Sequence, residues 1–280
     1  MAETTLLLGH SPDPDDAFMF YGLASGKIET SDWRFEHVLQ DIQTLNDRAR
    51  RAELHITAIS IHAYPYVAGQ YALTACGSSM GDGYGPLVVA REPMSPEDLR
   101  GKTIAIPGTT TTAYLVLSLL LGPDAFQTTV IPFDEVLSHV AAGKADAGLV
   151  IHEGQLTYRN HDLHQVVDLG EWWKLENNLP LPLGGNCIRR DLGPANMVEI
   201  TAILKHSIEY SLEHRAEAVA HALQYARDMG EDLADRFVGM YVNHWTVDYG
   251  QTGRRAVELL LQQGAEAGIV PPVGSIDFIG

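Results

Sequence analysis

The sequence predicts an α/β protein of two lobes, between which the chain crosses twice. Short apolar runs alternate with helical patterns along most of the 280 residues, which is typical of mainly parallel α/β sheets. A second α/β block, beginning at Lys102, interrupts the first block in the sequence. The segment Leu179–Gly185 contains two prolines and two glycines, which exclude a helix, and we interpret it as the connection back to the first lobe.

The first lobe is predicted to comprise residues 1–90 and 187–280. Its strands are Leu6–Leu8, Phe35–Leu39, His55–Ile61 and Tyr71–Cys76. Its helices are one that contains Phe18, Tyr21 and Leu23 and is terminated by Gly26, followed by Ile42–Ala52, Ala195–Glu213, Ala216–Asp228, Leu233–Val242 and Arg254–Ala267. Asp41 is a suitable N-cap for the second of these helices. Tyr84–Arg91 is a further buried strand at the boundary of the lobe.

The second lobe is predicted to comprise residues 91–186. Its elements in chain order are the strand Lys102–Ile106, the helix Thr112–Leu121, the strand Thr129–Phe133, the helix Asp134–Ala142 and the strand Gly148–His152. Trp172 and Trp173 follow and are interpreted as packing residues. Because two crossings form a natural hinge, we expect a ligand between the lobes.

The charge balance favours a small molecule as the partner. The chain has 36 acidic and 19 basic residues and a net charge of −17, so its surface repels nucleic acid and anionic membranes. The N-terminal segment lacks the features of a signal peptide, and the apolar run Leu115–Leu121 is too short for membrane insertion. We expect a cytoplasmic protein, although an exported protein with its signal removed would look similar. A homodimer is compatible with the sequence, which does not define the oligomeric state.

The first candidate site segment is the loop Ser11–Asp16, directly after the first strand. Ligands of open α/β sheets bind beyond the carboxyl ends of the strands, so Ser11 and Asp16 are placed to contact a small anionic substrate. Alternatively, an aspartate caps the next helix and the prolines only stiffen the turn. Three aspartates would suit a hard cation, but no matching carboxylate cluster occurs elsewhere, and we predict no metal. Nucleotide-binding glycine motifs are absent, and we predict no cofactor.

The second segment, Pro107–Tyr114, joins a strand to a very apolar helix and contains four consecutive threonines. Gly108 permits a tight turn. The N–H groups and hydroxyls of Thr111 and Thr112 at the helix start could then hold a carboxylate or phosphate without a basic residue. N-capping needs only one threonine, so we favour anion binding over capping alone.

The third segment, Gly148–Glu153, is an apolar strand that delivers His152 at its carboxyl end, towards the predicted cleft. Imidazole titrates near neutral pH and is a suitable general base. From position alone, a structural histidine is the commoner interpretation in a chain with 12 histidines. Ser60, at the end of the third strand, could contribute a hydroxyl or N–H from the opposite wall, and a plain helix N-cap is an equal alternative.

Taken in order, these segments resemble the 1,4-dihydroxy-6-naphthoate synthase family of the futalosine route to menaquinone. The resemblance covers nearly the whole chain, and its ordered set of motifs is quite specific. The motifs are Ser11-Pro12-x-Pro14-x-Asp16-x-Phe18-x-Phe20-Tyr21, Gly85–Arg91, Pro107-Gly108 with Thr111–Tyr114, Gly148–Glu153 with Thr157-Tyr158, Asp168–Gly170 with Trp172-Trp173, and Leu179–Gly184.

The resemblance implies a periplasmic-binding-protein-like fold of type II that is used as an enzyme. The implied activity is that of a carbon–carbon lyase, which converts cyclic dehypoxanthine futalosine into 1,4-dihydroxy-6-naphthoate. By this likeness, His152 matches the proton acceptor. The substrate-contacting positions match Ala58, Ile59 and Ser60 in one stretch and Thr112 with Ala113 in the other.

The chain departs from the family pattern at three positions. Many members have lysine in place of Ala58, and cysteine and asparagine are common in place of Asp13 and Asp15. Either the threonine-rich helix start compensates for the missing cation, or this branch acts on a related substrate. Two other functions remain as alternatives: a small-anion binding or sensor protein without catalysis, and the related chorismate dehydratase. The segment Ile151-His152-Glu153 favours the synthase over the dehydratase.

Overall fold

The computed structural model describes residues 4–225 and 230–280, which form two β-sheets covered by helices. The strands are β1 Thr4–His10, β2 Trp33–Leu39, β3 Ile56–Ser60, β4 Tyr71–Thr74, β5 Ser79–Gly81, β6 Leu87–Ala90, β7 Thr103–Ile106, β8 Gln127–Val130, β9 Ala147–Val150, β10 His164–Asp168, β11 Leu181–Arg189 and β12 Phe278–Ile279. The α-helices are α1 Pro14–Met19, α2 Tyr21–Ala24, α3 Ile42–Arg50, α4 Thr112–Leu121, α5 Val136–Ala141, α6 Gly154–Thr157, α7 Leu169–Asn177, α8 Pro194–Glu213, α9 Arg215–Ala222, α10 Glu231–Tyr241, α11 His244–Val247 and α12 Gly250–Glu266.

The sheet of the first lobe has the order β12-β4-β11-β3-β1-β2, and β5 pairs with β11 outside this path. Strand β1 is parallel to both β2 and β3, whereas β11 is antiparallel to β3 and β4. All five residues of β3 are buried, as expected for a central strand covered on both faces. Because β1 and β3 are parallel, their carboxyl ends lie at the same edge of this sheet.

The sheet of the second lobe has the order β10-β6-β9-β7-β8. Strand β7 is parallel to β8 and β9, and β6 is antiparallel to β9 and β10. The connections after β7 and β9 lead into α4 and α6, so both emerge at one edge. The prediction of a two-lobed α/β fold with two crossings is confirmed.

The crossings lie at different residues from the predicted boundaries at 90 and 186. Strand β6, assigned above to the first lobe, pairs within the second sheet. Strand β11, whose first residues were assigned to the second lobe, belongs to the first sheet. The chain thus crosses once through residues 82–86 and once through 169–180. Pro182 fits within β11 because the pairing with β5 shifts register between Pro182 and Gly184.

The two crossings touch each other closely. The N–H of Leu169 donates a hydrogen bond to the carbonyl of Pro86 at 2.9 Å. A Cβ atom at Gly170 would lie 1.9 Å from the carbonyl oxygen of Tyr84 and 2.6 Å from the nitrogen of Gly85. Only a glycine permits this approach of the two backbones.

Several boundaries differ from the sequence-based expectation, although α4 begins and ends as predicted. Strand β9 ends at Val150, so His152 lies in the turn after it. Strand β10 was not predicted at all. The helix predicted over Ala216–Asp228 begins at Arg215 and ends at Ala222, and residues 226–228 of that prediction lie outside the described residues. None of the helices in the described ranges is long and apolar enough to cross a bilayer.

Candidate active site

A cavity lies where strand ends of the two sheets face each other. The first lobe contributes residues that follow β1, residues of β3, β5 and β11, and two side chains of α10. The second lobe contributes the start of α4 and the turn after β9. No lysine or arginine is among the lining residues in the described part of the chain.

Eight of the nine residues that the sequence analysis proposed for the site line this cavity. They are Ser11, Asp16, Ala58, Ser60, Thr111, Thr112, Ala113 and His152. Ile59 does not line it, because successive side chains of a strand point to opposite faces. The Ile59 side chain is fully buried in the hydrophobic core instead.

His152 projects its imidazole towards the first lobe. Its backbone has a φ of 53°, in the left-handed region that non-glycine residues seldom adopt. Nδ1 lies 3.3 Å from Oδ2 of Asp13, and the ring edge packs on Phe133 with centroids 4.9 Å apart. Nε2 is buried and has no hydrogen-bond partner within the described residues. In the neutral tautomer that carries its proton on Nδ1, the side facing Asp13, the lone pair of Nε2 is available to accept a proton.

The protonation of His152 reflects two opposing effects. Burial alone would lower the pKa of the imidazole, because it disfavours the charged form. The carboxyl groups of Asp13 and Asp15, followed by those of Glu153 and Asp16, outweigh it and raise the pKa of His152 above its ordinary value. The higher pKa means that the His152 imidazole becomes neutral only at a higher pH than an exposed histidine does.

Asp13, Asp15 and Asp16 form a buried acidic cluster, and each is less than a tenth exposed. Oδ2 of Asp16 accepts a hydrogen bond of 2.7 Å from the N–H of Ser11, which holds the loop closed. Burial raises the pKa of Asp16 to about 6, although the Ser11 N–H opposes this change. Burial, with a contribution from Asp16, raises the pKa of Asp15 to about 8. Asp13 occupies the N-cap position of α1 but makes no capping hydrogen bond with its side chain.

The hydroxyls of the threonines at the start of α4 were expected to hold an anion, but both form hydrogen bonds within the protein. The Thr111 hydroxyl donates to the carbonyl of Gly108 and accepts from the N–H of Tyr114. The Thr112 hydroxyl donates to the carbonyl of Leu183 at 2.5 Å and accepts from the N–H of His62. The hydroxyls are therefore not free to donate to an anion.

The backbone at the start of α4 retains the capacity to bind an anion. The first N–H groups of a helix have no acceptor within the helix. Thr111 satisfies only that of Tyr114, so those of Thr112 and Ala113 have no acceptor within the helix, and both residues line the cavity. These two groups and the positive end of the helix dipole are suited to a carboxylate.

Ser60 is held by Asn46, a residue that sequence reasoning missed. Oδ1 of Asn46 accepts from the N–H of Ser60 at 2.9 Å, and its Nδ2 donates to the Ser60 hydroxyl at 3.1 Å. Nδ2 also lies 3.2 Å from the carbonyl of Thr110 in the second lobe. Ser60 makes no N-cap hydrogen bond. The only sequence signal for Asn46 is a polar residue on the buried face of α3.

Gln155 and Tyr241 form a second contact across the cavity that the sequence did not indicate. The Tyr241 hydroxyl donates to Oε1 of Gln155 at 2.6 Å, and both residues are buried and line the cavity. Gln155 belongs to α6 in the second lobe and Tyr241 to α10 in the first. Their separation by 86 residues explains why no local pattern reveals the pair. Within residues 4–225 and 230–280, no group of three or more His, Cys, Asp or Glu side chains is arranged to hold a metal ion.

Comparison with known proteins gives close relatives along the whole chain. The sequence profile of a family described as menaquinone biosynthesis matches residues 6–266. The chain is 37% identical to a 1,4-dihydroxy-6-naphthoate synthase of Streptomyces coelicolor, with 98% of both chains covered. It is 40% identical to the enzyme of the same name from Thermus thermophilus, with 95% of this chain and 96% of the relative covered.

Solved structures resemble the protein at two levels. A protein of Archaeoglobus fulgidus is 42% identical, with a TM-score of 0.91 and coverage of 95% of this chain and 98% of its own. The alkanesulfonate-binding protein of Xanthomonas axonopodis is only 12% identical, with a TM-score of 0.71 and coverage of 97% and 96%. The latter similarity shows the fold alone, which is that of periplasmic binding proteins.

Proposed function

The chain belongs to the menaquinone-biosynthesis family and is an enzyme of that pathway, and on this premise we propose that it is a carbon–carbon lyase. Its proposed substrate is cyclic dehypoxanthine futalosine, and its product is 1,4-dihydroxy-6-naphthoate. The observation that carries the proposal is the unpartnered Nε2 of His152 at the cavity, with Asp13 at Nδ1 on the other side of the ring.

In the proposed reaction, neutral His152 removes a proton from the sugar-derived ring of the substrate. Carbon–carbon cleavage follows: the sugar-derived carbons leave as a separate fragment, and the electron pair of the broken bond stays with the bicyclic part. This part becomes aromatic, which supplies driving force. Asp13 directs the ring and stabilises the imidazolium that forms, as a carboxylate does for other catalytic histidines. General base catalysis of this kind contributes about 10² to 10⁴ in rate.

The proposed anchor for the substrate is its carboxylate, held by the N–H groups of Thr112 and Ala113. This anchor supplies positive potential without a basic side chain, which fits the absence of lysine and arginine from the described lining. Contacts across the cavity, such as that of Gln155 with Tyr241, favour a closed state that excludes water. In such a site, these electrostatic contacts are stronger than in bulk water.

Incubation of the purified protein with cyclic dehypoxanthine futalosine should produce 1,4-dihydroxy-6-naphthoate, detected by chromatography and mass spectrometry. A parallel incubation with chorismate should leave it unchanged. Tight binding of the futalosine intermediate without conversion would instead indicate a binding or sensor protein. Conversion of chorismate would indicate the dehydratase, and either result would contradict the proposal.

Asp13→Asn should move the acidic limb of the pH profile of kcat/KM to lower pH. The Asp13 carboxyl raises the pKa of His152, and the base works only when neutral, so removing this charge frees it at lower pH. The control is Asp124→Asn, which makes the same change at an exposed aspartate that does not line the cavity. An unchanged acidic limb in Asp13→Asn would show that this carboxylate does not govern the base.

A further inference from the structure

Asp15 has no assigned part in the mechanism above, although it lines the cavity. Its side chain is nine-tenths buried or more, at 7% exposure. One carboxyl oxygen, Oδ1, is buried without any hydrogen-bond partner in the described residues. Burial of a charged carboxylate oxygen without a hydrogen-bond donor costs free energy. A protonated carboxyl group avoids this cost, because it is neutral and can itself donate a hydrogen bond to an acceptor.

The arrangement of the acidic cluster indicates which of its members holds a proton. Asp16 receives the N–H of Ser11, which favours its charged form. Asp13 faces the imidazole of His152 at 3.3 Å. Asp15 keeps one oxygen, Oδ1, without a donor among the described residues. Burial and the neighbouring Asp16 raise the pKa of this carboxyl, and they outweigh the charge of His152 and the N–H of Asp15 itself, which lower it. Since like charges in one site disfavour each other, Asp15 is the member for which neutrality is least costly.

We propose that Asp15 is a neutral carboxylic acid that donates a hydrogen bond to the substrate oxygen on which negative charge develops during cleavage. This inference rests on the proposed function and assigns a second catalytic residue to the same cavity. The product carries two phenolic oxygens. The electron pair of the broken carbon–carbon bond moves into the ring system and leaves its charge on one of these oxygens, which the Asp15 hydroxyl then stabilises while keeping its own proton.

Two further considerations support this role. The pKa of Asp15 is raised to about 8, first by burial and then by Asp16, so the acid is neutral at pH 7. An anionic substrate would also be repelled by three ionised carboxylates, and protonation of Asp15 removes one of these charges. Both groups are then neutral before the reaction: His152 accepts a proton, and Asp15 donates a hydrogen bond.

The test compares Asp15→Ala with Asp15→Asn, because the amide of asparagine can donate a hydrogen bond but cannot ionise. Removal of one such donor lowers kcat by about 10²- to 10³-fold, and we expect this loss for Asp15→Ala. Asp15→Asn should recover most of it. In the unmodified protein, kcat/KM should fall above about pH 8, and this alkaline fall should disappear in Asp15→Asn.

Infrared spectroscopy tests the protonation state without any turnover. At pH 7, the unmodified protein should show the carbonyl band of a protonated carboxylic acid, and this band should be missing in Asp15→Asn. Equal bands in both proteins would overturn the inference. So would equal losses of kcat in Asp15→Asn and Asp15→Ala, or the absence of any loss in Asp15→Ala.

Failure of the proposed function is distinguishable from failure of this inference. If the unmodified protein does not convert the futalosine intermediate, the lyase proposal is lost. Calorimetric titration with 1,4-dihydroxy-6-naphthoate, together with the infrared band, then tests whether Asp15 is a neutral hydrogen-bond donor. Binding that weakens in Asp15→Ala and recovers in Asp15→Asn supports the donor, and equal binding by all three proteins overturns it.

Discussion

Replacement of His152 by asparagine should lower kcat by about 10²- to 10⁴-fold, the usual contribution of a general base. Asparagine is the informative substitution because it tolerates the left-handed backbone conformation that His152 adopts. It also keeps a polar group beside Asp13 but cannot accept a proton from the substrate. The measurement is naphthoate formation under saturating substrate.

The matched control is His164→Asn, which makes the same chemical change at an exposed position of β10 in the same lobe. This variant should retain the unmodified rate. Thermal unfolding of both variants shows whether any loss of rate reflects loss of structure. Turnover by His152→Asn close to that of the unmodified protein would remove His152 from the mechanism, whatever the role of the cavity.

Trp173→Ala should lower the free energy of unfolding by about 3–5 kcal/mol, the usual cost of truncating a buried tryptophan. The Trp173 side chain is fully buried in the hydrophobic core. Its Nε1 donates a hydrogen bond of 3.1 Å to the carbonyl of Pro180, in the segment that leads back to the first lobe. Truncation therefore leaves both a void and an unsatisfied carbonyl.

Trp172→Ala is the natural comparison, because the neighbouring tryptophan is only partly buried. The loss of unfolding free energy in Trp172→Ala should be much smaller, since a partly exposed side chain leaves no closed cavity. Urea unfolding of the two variants gives both free energies on one scale. Equal losses would mean that the two tryptophans contribute alike, contrary to their different burial.

The sequence predicted the elements whose signals are local. Helix α4 was located to the residue, because its threonine N-cap and Gly122 mark its two ends. The lobe boundaries were not located, because the pairing of β6 with β9 and β10 joins residues about 60 to 80 apart. A strand that is buried on both faces looks the same in either sheet.

In the candidate site, too, the features with local sequence signals were predicted and those that depend on distant residues were not. The loop of Ser11 and Asp16, the start of α4 and His152 follow strand ends, a position that sequence alone can recognise. Whether a threonine hydroxyl is free depends on the carbonyls that face it, here those of Gly108 and Leu183. The protonation of Asp15 likewise depends on groups that only the folded chain assembles around it.

The contact between the two crossings restricts how the lobes can move. At Gly170 and Tyr84, the backbones approach so closely that sliding of one crossing along the other would force carbonyl and Cα atoms together. We therefore expect the lobes to move by rotation about this contact rather than by sliding along it. Asp13 and His152 belong to opposite sides of that contact. We expect that opening of the lobes would separate the Asp13 carboxyl from the imidazole of His152, so the proposed catalytic pair would exist only in the closed state.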